Sequence, residues 1–208
     1  MQQRSPEWHA ARLGKATGSR IADIVARTKS GYSTSRANYA AQLVCERLTG
    51  VAAESFVSSA MQWGLEKEPE AQRLYAFEHD IEVMEVGFLD HPYIAMSGAS
   101  PDGLIGETGL IEVKCPITAT HIDTLLGQAI PGRYLAQMQW QKAVSGRQWC
   151  DFVSYDPRLP ADLRLFTRRV HRDEAIIAAL EREVTAFLAE VCDTLARLER
   201  LAPRSEAA

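Results

Sequence analysis

Residues 100–116 read SPDGLIGETGLIEVKCP and place Asp102, Glu112 and Lys114 beside apolar residues, with a third acid, Glu107, in the connection between them. The apolar residues flank a glycine-containing four-residue connection, which is typical of a β-hairpin. Side chains alternate between the two faces of a strand, so Glu112 and Lys114 point the same way, whereas Val113 points into the opposite face, towards the core. Asp102 lies where the preceding strand begins, and the hairpin can bring it alongside Glu112.

The charged residues of this hairpin indicate which reaction it could support. Two neighbouring carboxylates repel each other, so one of them retains a proton unless a cation lies between them. Carboxylate oxygens suit a hard divalent ion such as Mg²⁺ or Mn²⁺, which also takes up phosphate oxygens. Lys114 can hold or deprotonate an attacking water and neutralise charge in the transition state. The combination predicts phosphodiester cleavage, although a Glu-x-Lys pair alone also fits a salt bridge on an exposed strand.

Together, the SPDGL and EVKCP motifs resemble those of the PD-(D/E)XK nucleases, and more narrowly those of the phage lambda exonuclease and YqaJ-like viral recombinase family. The resemblance spans about residues 5–192. It implies an α/β fold with a central mixed β-sheet flanked by helices, the restriction-endonuclease-like core. It also implies a DNA exonuclease of recombination that digests one strand of linear double-stranded DNA from 5′ to 3′. A ring-shaped homotrimer that encircles DNA and a single-strand annealing partner are implied as well.

The resemblance implies two Mg²⁺ (or Mn²⁺) ions in each active site and a role for each nearby residue. Asp102 would hold or bridge the ions, and Glu112 with the backbone carbonyl of Val113 would complete one coordination shell. In the family, the glutamate of a W-G-x-x-x-E pattern leans towards the metals, and Glu68 matches that position. Glu68 would bind the second ion directly or through water, and Lys114 would orient and activate the nucleophilic water.

Two further parts of the site are less firmly specified. Spacing alone does not choose between Glu68 and its neighbours Glu66 and Glu70. The family places active-site polar groups in an A-Q-x-Q stretch, where Gln137 is the better candidate, with Tyr134 one turn earlier in the same helix. Hydrogen bonding on a helix surface explains Gln137 and Tyr134 equally well.

The family's pocket for the 5′-phosphate of the substrate matches Arg12, Ser19 and Ser100 in this chain. Composition alone favours a plain helix cap for Ser19. An arginine that follows the Cys-Pro of the motif in the lambda protein is absent here, where residues 118–121 read TATH. This departure predicts a weaker pocket or one that is built differently, with His121 as a candidate contact.

Length, charge and cysteine usage limit the class of protein. The 208 residues suit one nuclease domain over residues 1–201 with a frayed tail over 202–208. No apolar run approaches the ~20 residues of a membrane span, and no signal-peptide core is present, so a cytoplasmic protein without a membrane partner is predicted. The four cysteines have no C-x-x-C spacing, which argues against zinc and iron-sulfur sites.

The distribution of charge favours a nucleic-acid partner more than the net charge of −4 does. Residues 1–50 contain eight Lys/Arg and three Asp/Glu and so carry +5, which leaves −9 for the remaining 158 residues. A basic N-terminal segment and an acidic remainder fit a protein that holds a phosphate backbone on one face. A random surface asymmetry is the alternative.

Periodicity and breaker residues predict the remaining elements. A helix begins at Pro6 behind the N-cap Ser5, and another covers 59–79 with a start or kink near Gly64 that leaves Pro69 in its first turn. The other predicted elements are strands over 82–90, 93–96, 149–155 and 165–170 and helices over 37–48 and 173–201, with helical structure after Pro116 that is interrupted at Pro131-Gly132.

Two other functions remain open from the sequence. The same motifs occur in PD-(D/E)XK endonucleases of repair or restriction type. A non-catalytic DNA-binding recombination module could also keep the fold, although such a module has no need of adjacent desolvated acids. The complete set of Asp102, Glu112 and Lys114 therefore favours an enzyme.

Overall fold

The computed structural model describes residues 1–53 and 58–201, and these ranges contain seven α-helices and ten β-strands. The helices are α1 (Pro6–Arg12), α2 (Ile21–Val25), α3 (Thr34–Thr49), α4 (Ser59–His79), α5 (Thr118–Gly127), α6 (Gly132–Ser145) and α7 (Glu174–Leu201). The strands are β1 (Ala16–Thr17), β2 (Arg27–Thr28), β3 (Gly31–Tyr32), β4 (Val83–Met84), β5 (Leu89–Asp90), β6 (Ser97–Ala99), β7 (Gly103–Ile105), β8 (Gly109–Lys114), β9 (Trp149–Tyr155) and β10 (Leu165–His171). The tail over 202–208, which was predicted to fray, lies outside the described residues.

The largest sheet has the strand order β10-β9-β8-β7-β4. Its β8 and β9 are parallel, whereas the other neighbours are antiparallel, so the sheet is mixed. A second sheet has the order β1-β6-β5, and β2 pairs with β3 in a separate hairpin. Helices cover the large sheet, which confirms the predicted fold class. Among the helices of the described ranges, none has the length and apolarity that a membrane span requires.

The β7–β8 hairpin at the centre of this sheet depends on two glycines. Gly109 pairs with Ile105, so the connection has three residues, one fewer than predicted. Gly106 has a φ of +49°, a left-handed conformation that glycine adopts without steric cost. A Cβ atom at Gly109 would lie 2.2 Å from the ring of Trp149, which is far closer than van der Waals contact. Glycine at position 109 therefore lets β9 pack beside the hairpin.

Two helices cover the opposite faces of the β8–β9 pair. Helix α4 packs against one face through a cluster that contains Ala71, Tyr75, Ile111, Val113 and Val153. Helix α6 packs against the other face, where Met138 meets Leu110, Cys150 and Phe152. The alternation along β8 thus sends Val113 into the core, and it sends Glu112 towards α6.

The structure corrects the prediction for the helix over residues 59–79. Helix α4 runs without a break from Ser59 to His79, and Pro69 lies well inside it instead of in a first turn near Gly64. Proline removes one helical hydrogen bond, which weakens a helix locally. Apolar residues pack on both sides of the proline, Trp63 before it and Tyr75 after it, so tertiary packing keeps the helix continuous.

The structure also corrects the two strands predicted over 82–90 and 93–96. The first stretch divides into β4 and β5, which belong to different sheets. The second is a turn in which the backbone N–H groups of Tyr93 and Ile94 donate to Nδ1 of His91, each at 3.2 Å. A side-chain acceptor that satisfies two consecutive amides stabilises a turn, and the apolar composition of 93–96 does not reveal it.

Lys142 is a fully buried cation that no carboxylate pairs with among the described residues. Its Nζ donates to the backbone carbonyls of Val170 at 2.9 Å and His171 at 3.0 Å, which fastens the end of β10 to α6. Burial lowers the pKa of Lys142 from 10.5 to about 8. The folded protein therefore releases this proton at a lower pH than the unfolded chain does.

We expect Lys142→Met to remove a pH dependence of stability that the wild type shows. Between pH 8 and 10.5 the unfolded chain holds more protons at this site than the folded protein, so the wild-type free energy of unfolding rises with pH. Relative to Lys142→Met, the gain should reach up to about 3 kcal/mol, from 1.36 kcal/mol per pKa unit. Urea unfolding of both proteins at several pH values measures this difference. A difference that stays flat or falls above pH 8 contradicts the assignment.

Candidate active site

The β7–β8 hairpin brings Asp102 next to Glu112. Gly103 pairs with Ile111, so continuing the register by one residue places Asp102 opposite Glu112. The Oδ2 atom of Asp102 accepts a hydrogen bond of 2.6 Å from the backbone N–H of Val113, which fixes this carboxylate at the edge of β8. Strand pairing alone is therefore enough to hold the two acids side by side.

Glu112 is fully buried, and three side chains bind its carboxylate. Lys114 forms an ion pair with its Oε1 atom. Gln137 donates to Oε1 at 2.6 Å, and Gln141 donates to Oε2 at 2.5 Å. Gln139 turns away and donates to a carbonyl of β10. The two glutamines that bind Glu112 are therefore one helical turn apart on the same face of α6.

Gln141 is a site residue that the sequence analysis missed. It is almost fully buried, and its Oε1 atom has no hydrogen-bond partner among the described residues. Its position four residues after Gln137 was the signal that could have found it, because residues at that spacing share a helix face. The A-Q-x-Q pattern ends at Gln139, whose side chain lies on a different face of the helix, so the pattern does not include Gln141.

Helix α4 supplies the third acid of the cluster. Glu68 accepts a hydrogen bond of 2.5 Å at Oε2 from Nη2 of Arg4. Glu66 bonds with a glutamine of its own helix, and Glu70 bonds with a buried tyrosine of β9. Of these three acids, Glu68 lies near enough to the hairpin for its negative charge to raise the pKa of Asp102.

The electrostatics of the site follow from burial and like charge. Burial, followed by repulsion from Glu112, raises the pKa of Asp102 well above its ordinary value. Burial opposes the charge of Lys114, but attraction to Glu112 and Asp102 outweighs it and raises the pKa of the lysine. Burial also raises the pKa of Cys115 to about 12, so this thiol stays protonated. Lys114 is therefore a cation, and Asp102 is an acid that a second positive charge would stabilise.

The donor set fits a hard divalent cation in its chemistry. One buried carboxylate (Glu112), one half-buried carboxylate (Asp102) and the backbone carbonyl of Val113 offer oxygen ligands of the type that Mg²⁺ and Mn²⁺ prefer. Across residues 1–53 and 58–201, no three acidic, histidine or cysteine side chains already stand together as a metal site. The hydrogen bonds explain this, because Val113, Lys114 and Arg4 each hold one of the acids. Binding of a metal by all three acids would therefore require these side chains to move.

A separate cluster of polar groups surrounds Ser100, two residues before Asp102. Its hydroxyl accepts hydrogen bonds from Nε1 of Trp8 at 2.9 Å and from Nη1 of Arg12 at 3.4 Å. The guanidinium of Arg12 also lies 4.0 Å above the ring of Trp8. Burial lowers the pKa of Arg12, and none of the described carboxylates pairs with it. A half-buried guanidinium in this state is suited to bind an anion.

The other predicted phosphate contacts lie in different settings. Ser19 is exposed, and its hydroxyl lies 3.5 Å from that of Thr17, with no hydrogen bond to Arg12 within the described chain. Tyr134 stacks on Phe152, and Nζ of Lys114 lies 5.5 Å from its ring centroid. Tyr134 is therefore next to the catalytic candidates, whereas Ser19 is not in contact with them.

The structure corrects the prediction for His121. Its side chain is fully buried. Its Nδ1 atom lies 2.7 Å from the hydroxyl of Ser154, and its Nε2 atom lies 2.9 Å from the carbonyl of Leu163. With both ring nitrogens hydrogen-bonded inside the protein, His121 has no atom left for a phosphate. It stabilises the packing of α5 on β9.

Comparisons with known proteins show which solved structures the chain resembles. Two crystal structures of the alkaline exonuclease LHK-Exo from Laribacter hongkongensis, one of them in complex with dAMP, are 53% and 54% identical to the chain. They superpose with TM-scores of 0.88 and 0.89 over 94% of this chain and 97% of the other. A phage-related exonuclease from Haemophilus somnus 129PT, 16% identical, shares the fold with a TM-score of 0.73 over 88% of this chain and 96% of the other.

No curated protein sequence matches the chain significantly. Residues 7–148 match the family model of the YqaJ-like viral recombinase domain. Both the predicted family and the predicted enzyme class, a nuclease, are confirmed by these relatives. With this match over more than half of its length, and with solved relatives along nearly all of it, the chain belongs to the YqaJ-like viral recombinase family.

Proposed function

We propose that this protein is a Mg²⁺-dependent DNA exonuclease of recombination that digests one strand of linear double-stranded DNA from its 5′ end. One observation carries the proposal: half-buried Asp102 and fully buried Glu112 lie side by side, with protonated Lys114 bound to Glu112. The exonucleases among the relatives of known structure support the activity, and the complex of LHK-Exo with dAMP supports a deoxynucleotide product.

The residues that would hold the metal are Asp102, Glu112, the carbonyl of Val113, and Glu68. Bound there, two divalent ions, Mg²⁺ or Mn²⁺, would stabilise the charge that develops on the attacking and leaving oxygens of the phosphodiester. The raised pKa of Asp102 supports this set of ligands. Burial and repulsion from Glu112 destabilise the charged carboxylate, so a neighbouring cation would stabilise it strongly.

Lys114 acts as a hydrogen-bond donor and a positive charge in this proposal, and not as a general base. Since its pKa is raised, it is protonated at neutral pH and cannot remove a proton from water. It can donate hydrogen bonds that orient the attacking water and can stabilise negative charge on the phosphate. Gln137 and Gln141 donate to Glu112 and so keep this carboxylate in one orientation. The chain's contribution is therefore mainly positioning and charge stabilisation.

The Arg12, Ser100 and Trp8 cluster supports a contact with a terminal phosphate. It adjoins the Pro-Asp turn, so a bound 5′-phosphate would lie close to Asp102.

The family resemblance leads us to propose in addition a homotrimer around DNA and a single-strand annealing partner. Exposed Phe77, Tyr93 and Leu126 are apolar surface that an assembly could bury.

We expect Asp102→Asn and Lys114→Met each to lower the rate of digestion by about 100-fold or more, because the first removes a proposed metal ligand and the second removes the cation proposed to orient the water and stabilise charge. Asp102→Asn should fold with an unchanged or higher melting temperature, since the native site penalises the charged carboxylate and an amide can still accept from Val113. Release of nucleotides from a 5′-labelled linear duplex, with Mg²⁺ or with EDTA, measures the activity.

Glu183→Gln serves as the matched control, because it also converts a hydrogen-bonded carboxylate into an amide but lies on α7. This variant should digest DNA at the wild-type rate. Full Mg²⁺-dependent activity in Asp102→Asn or in Lys114→Met contradicts the proposal. Cleavage of covalently closed circular DNA by the wild type would instead identify an endonuclease, and binding without cleavage would identify a non-catalytic module.

We expect Arg12→Ala to abolish a preference for phosphorylated 5′ ends. A charge-assisted contact with the phosphate should be lost, so kcat/KM on a 5′-phosphorylated duplex falls about tenfold or more, whereas the value on a 5′-hydroxyl duplex changes little. Paired assays on the two duplexes give the ratio directly. Lys29→Ala, which removes an exposed basic residue of the same half of the chain, should leave that ratio unchanged. An unchanged ratio in Arg12→Ala excludes Arg12 from the pocket.

A further inference from the structure

Residues 1–5 lie along the edge of the active site, and Gln3 fastens them there. Its side-chain amide donates to the carbonyl of Val86 at 2.8 Å and to the carbonyl of Pro101 at 2.7 Å. Its backbone N–H donates to Oε1 of Glu85 at 3.1 Å. Pro101 immediately precedes Asp102, so this segment is joined to the turn that carries the first acid.

The next residue, Arg4, reaches the acid on the opposite side of the site. Its Nη2 atom donates to Oε2 of Glu68 at 2.5 Å, and the two side chains are 45% and 20% exposed. The backbone of Arg4 has a φ of +67°, a left-handed conformation that a side chain with a Cβ atom rarely adopts. Gln3 and Arg4 thus span the site from Pro101 to Glu68.

Stability is a weak explanation for this arrangement. An ion pair of this exposure contributes little to the free energy of folding, because water screens it and two long side chains lose freedom. The left-handed conformation of Arg4 costs free energy in addition. Strained backbone that the surrounding contacts maintain is common at functional sites, where a side chain must be held in one place.

We propose that Arg4 is a positioning residue for Glu68, which it holds in the orientation needed to bind the second divalent ion. This role rests on the proposed function. It belongs to residues 1–5, which precede every motif of the site in the chain. Glu68 has three rotatable side-chain bonds and, among the described residues, no recorded hydrogen-bond partner other than Arg4. A guanidinium bound to Oε2 leaves Oε1 free to act as a ligand.

Hydrogen bonds that orient a metal ligand typically contribute 10–100-fold to metal affinity. A nearby positive charge also repels a cation, so Arg4 could have the opposite effect if it only competed for Glu68. The exposure of Arg4 favours positioning, because solvent screens the repulsion, whereas the direct hydrogen bond to Glu68 persists. The sign of the change in metal affinity on removing Arg4 therefore distinguishes the two effects.

The test is a calorimetric titration of Mn²⁺ into the DNA-free protein at neutral pH. The wild type should show two binding events. Arg4→Ala should weaken one of them about tenfold or more and leave the other within about twofold. Arg4→Lys, which keeps a cationic donor, should recover part of the loss, and Glu68→Gln should weaken the same event. Gln3→Ala should act in the same direction as Arg4→Ala by releasing the segment.

Arg27→Ala is the matched control, since Arg27 pairs with Glu183 at similar exposures of 57% and 26% on another part of the surface. It should bind Mn²⁺ like the wild type, and the melting temperatures of all metal-free variants should agree. Unchanged or tighter binding by Arg4→Ala overturns the role of Arg4 and leaves the proposed function standing. A wild type that binds no Mn²⁺ overturns the proposed function and the role of Arg4 together.

Discussion

The pairing of β7 with β8 is the constraint on which the site depends. It places Asp102 opposite Glu112, where two carboxylates in a poorly solvated setting repel each other. The surrounding structure offsets part of that cost with the N–H group of Val113, the ammonium of Lys114 and two glutamines of α6. A buried polar network of this kind is stable only if nearly every member has a partner, so strands and helices must all be in register for the site to exist.

This requirement explains why two helices on opposite faces of one sheet both contribute to the site. Alternation along β8 sends Glu112 to the face covered by α6. Helix α4 covers the other face and carries Glu68 near enough to Asp102 for its charge to act on that carboxylate. Each helix buries apolar residues on the sheet and presents polar residues at its edge. Packing energy therefore fixes the positions of the polar groups, and the Asp102 turn is held from outside by Gln3.

The hairpin and its acids were predictable because strand alternation and glycine turns are local rules. The role of His121 was not, since its partners Ser154 and Leu163 lie far along the chain, and no local pattern reveals that both ring nitrogens are hydrogen-bonded. Gln141 could have been found from its spacing to Gln137. Arg4 could not, because residues 1–5 form no helix that would place its side chain on a predictable face, and only tertiary contacts direct it to the site.

The charge distribution shows how tertiary structure alters a sequence signal. Residues 1–50 carry +5, yet five of their eight basic residues form ion pairs with carboxylates, namely Arg4, Lys15, Arg20, Arg27 and Arg36. Such pairing neutralises much of the positive charge of residues 1–50 and leaves less of it free for a DNA backbone. Arg12 differs, because it is half-buried against Trp8 and bonds only to the hydroxyl of Ser100 among the described residues. If the proposed function holds, recognition of a terminal phosphate would therefore depend more on this one desolvated guanidinium than on the field of the whole basic segment.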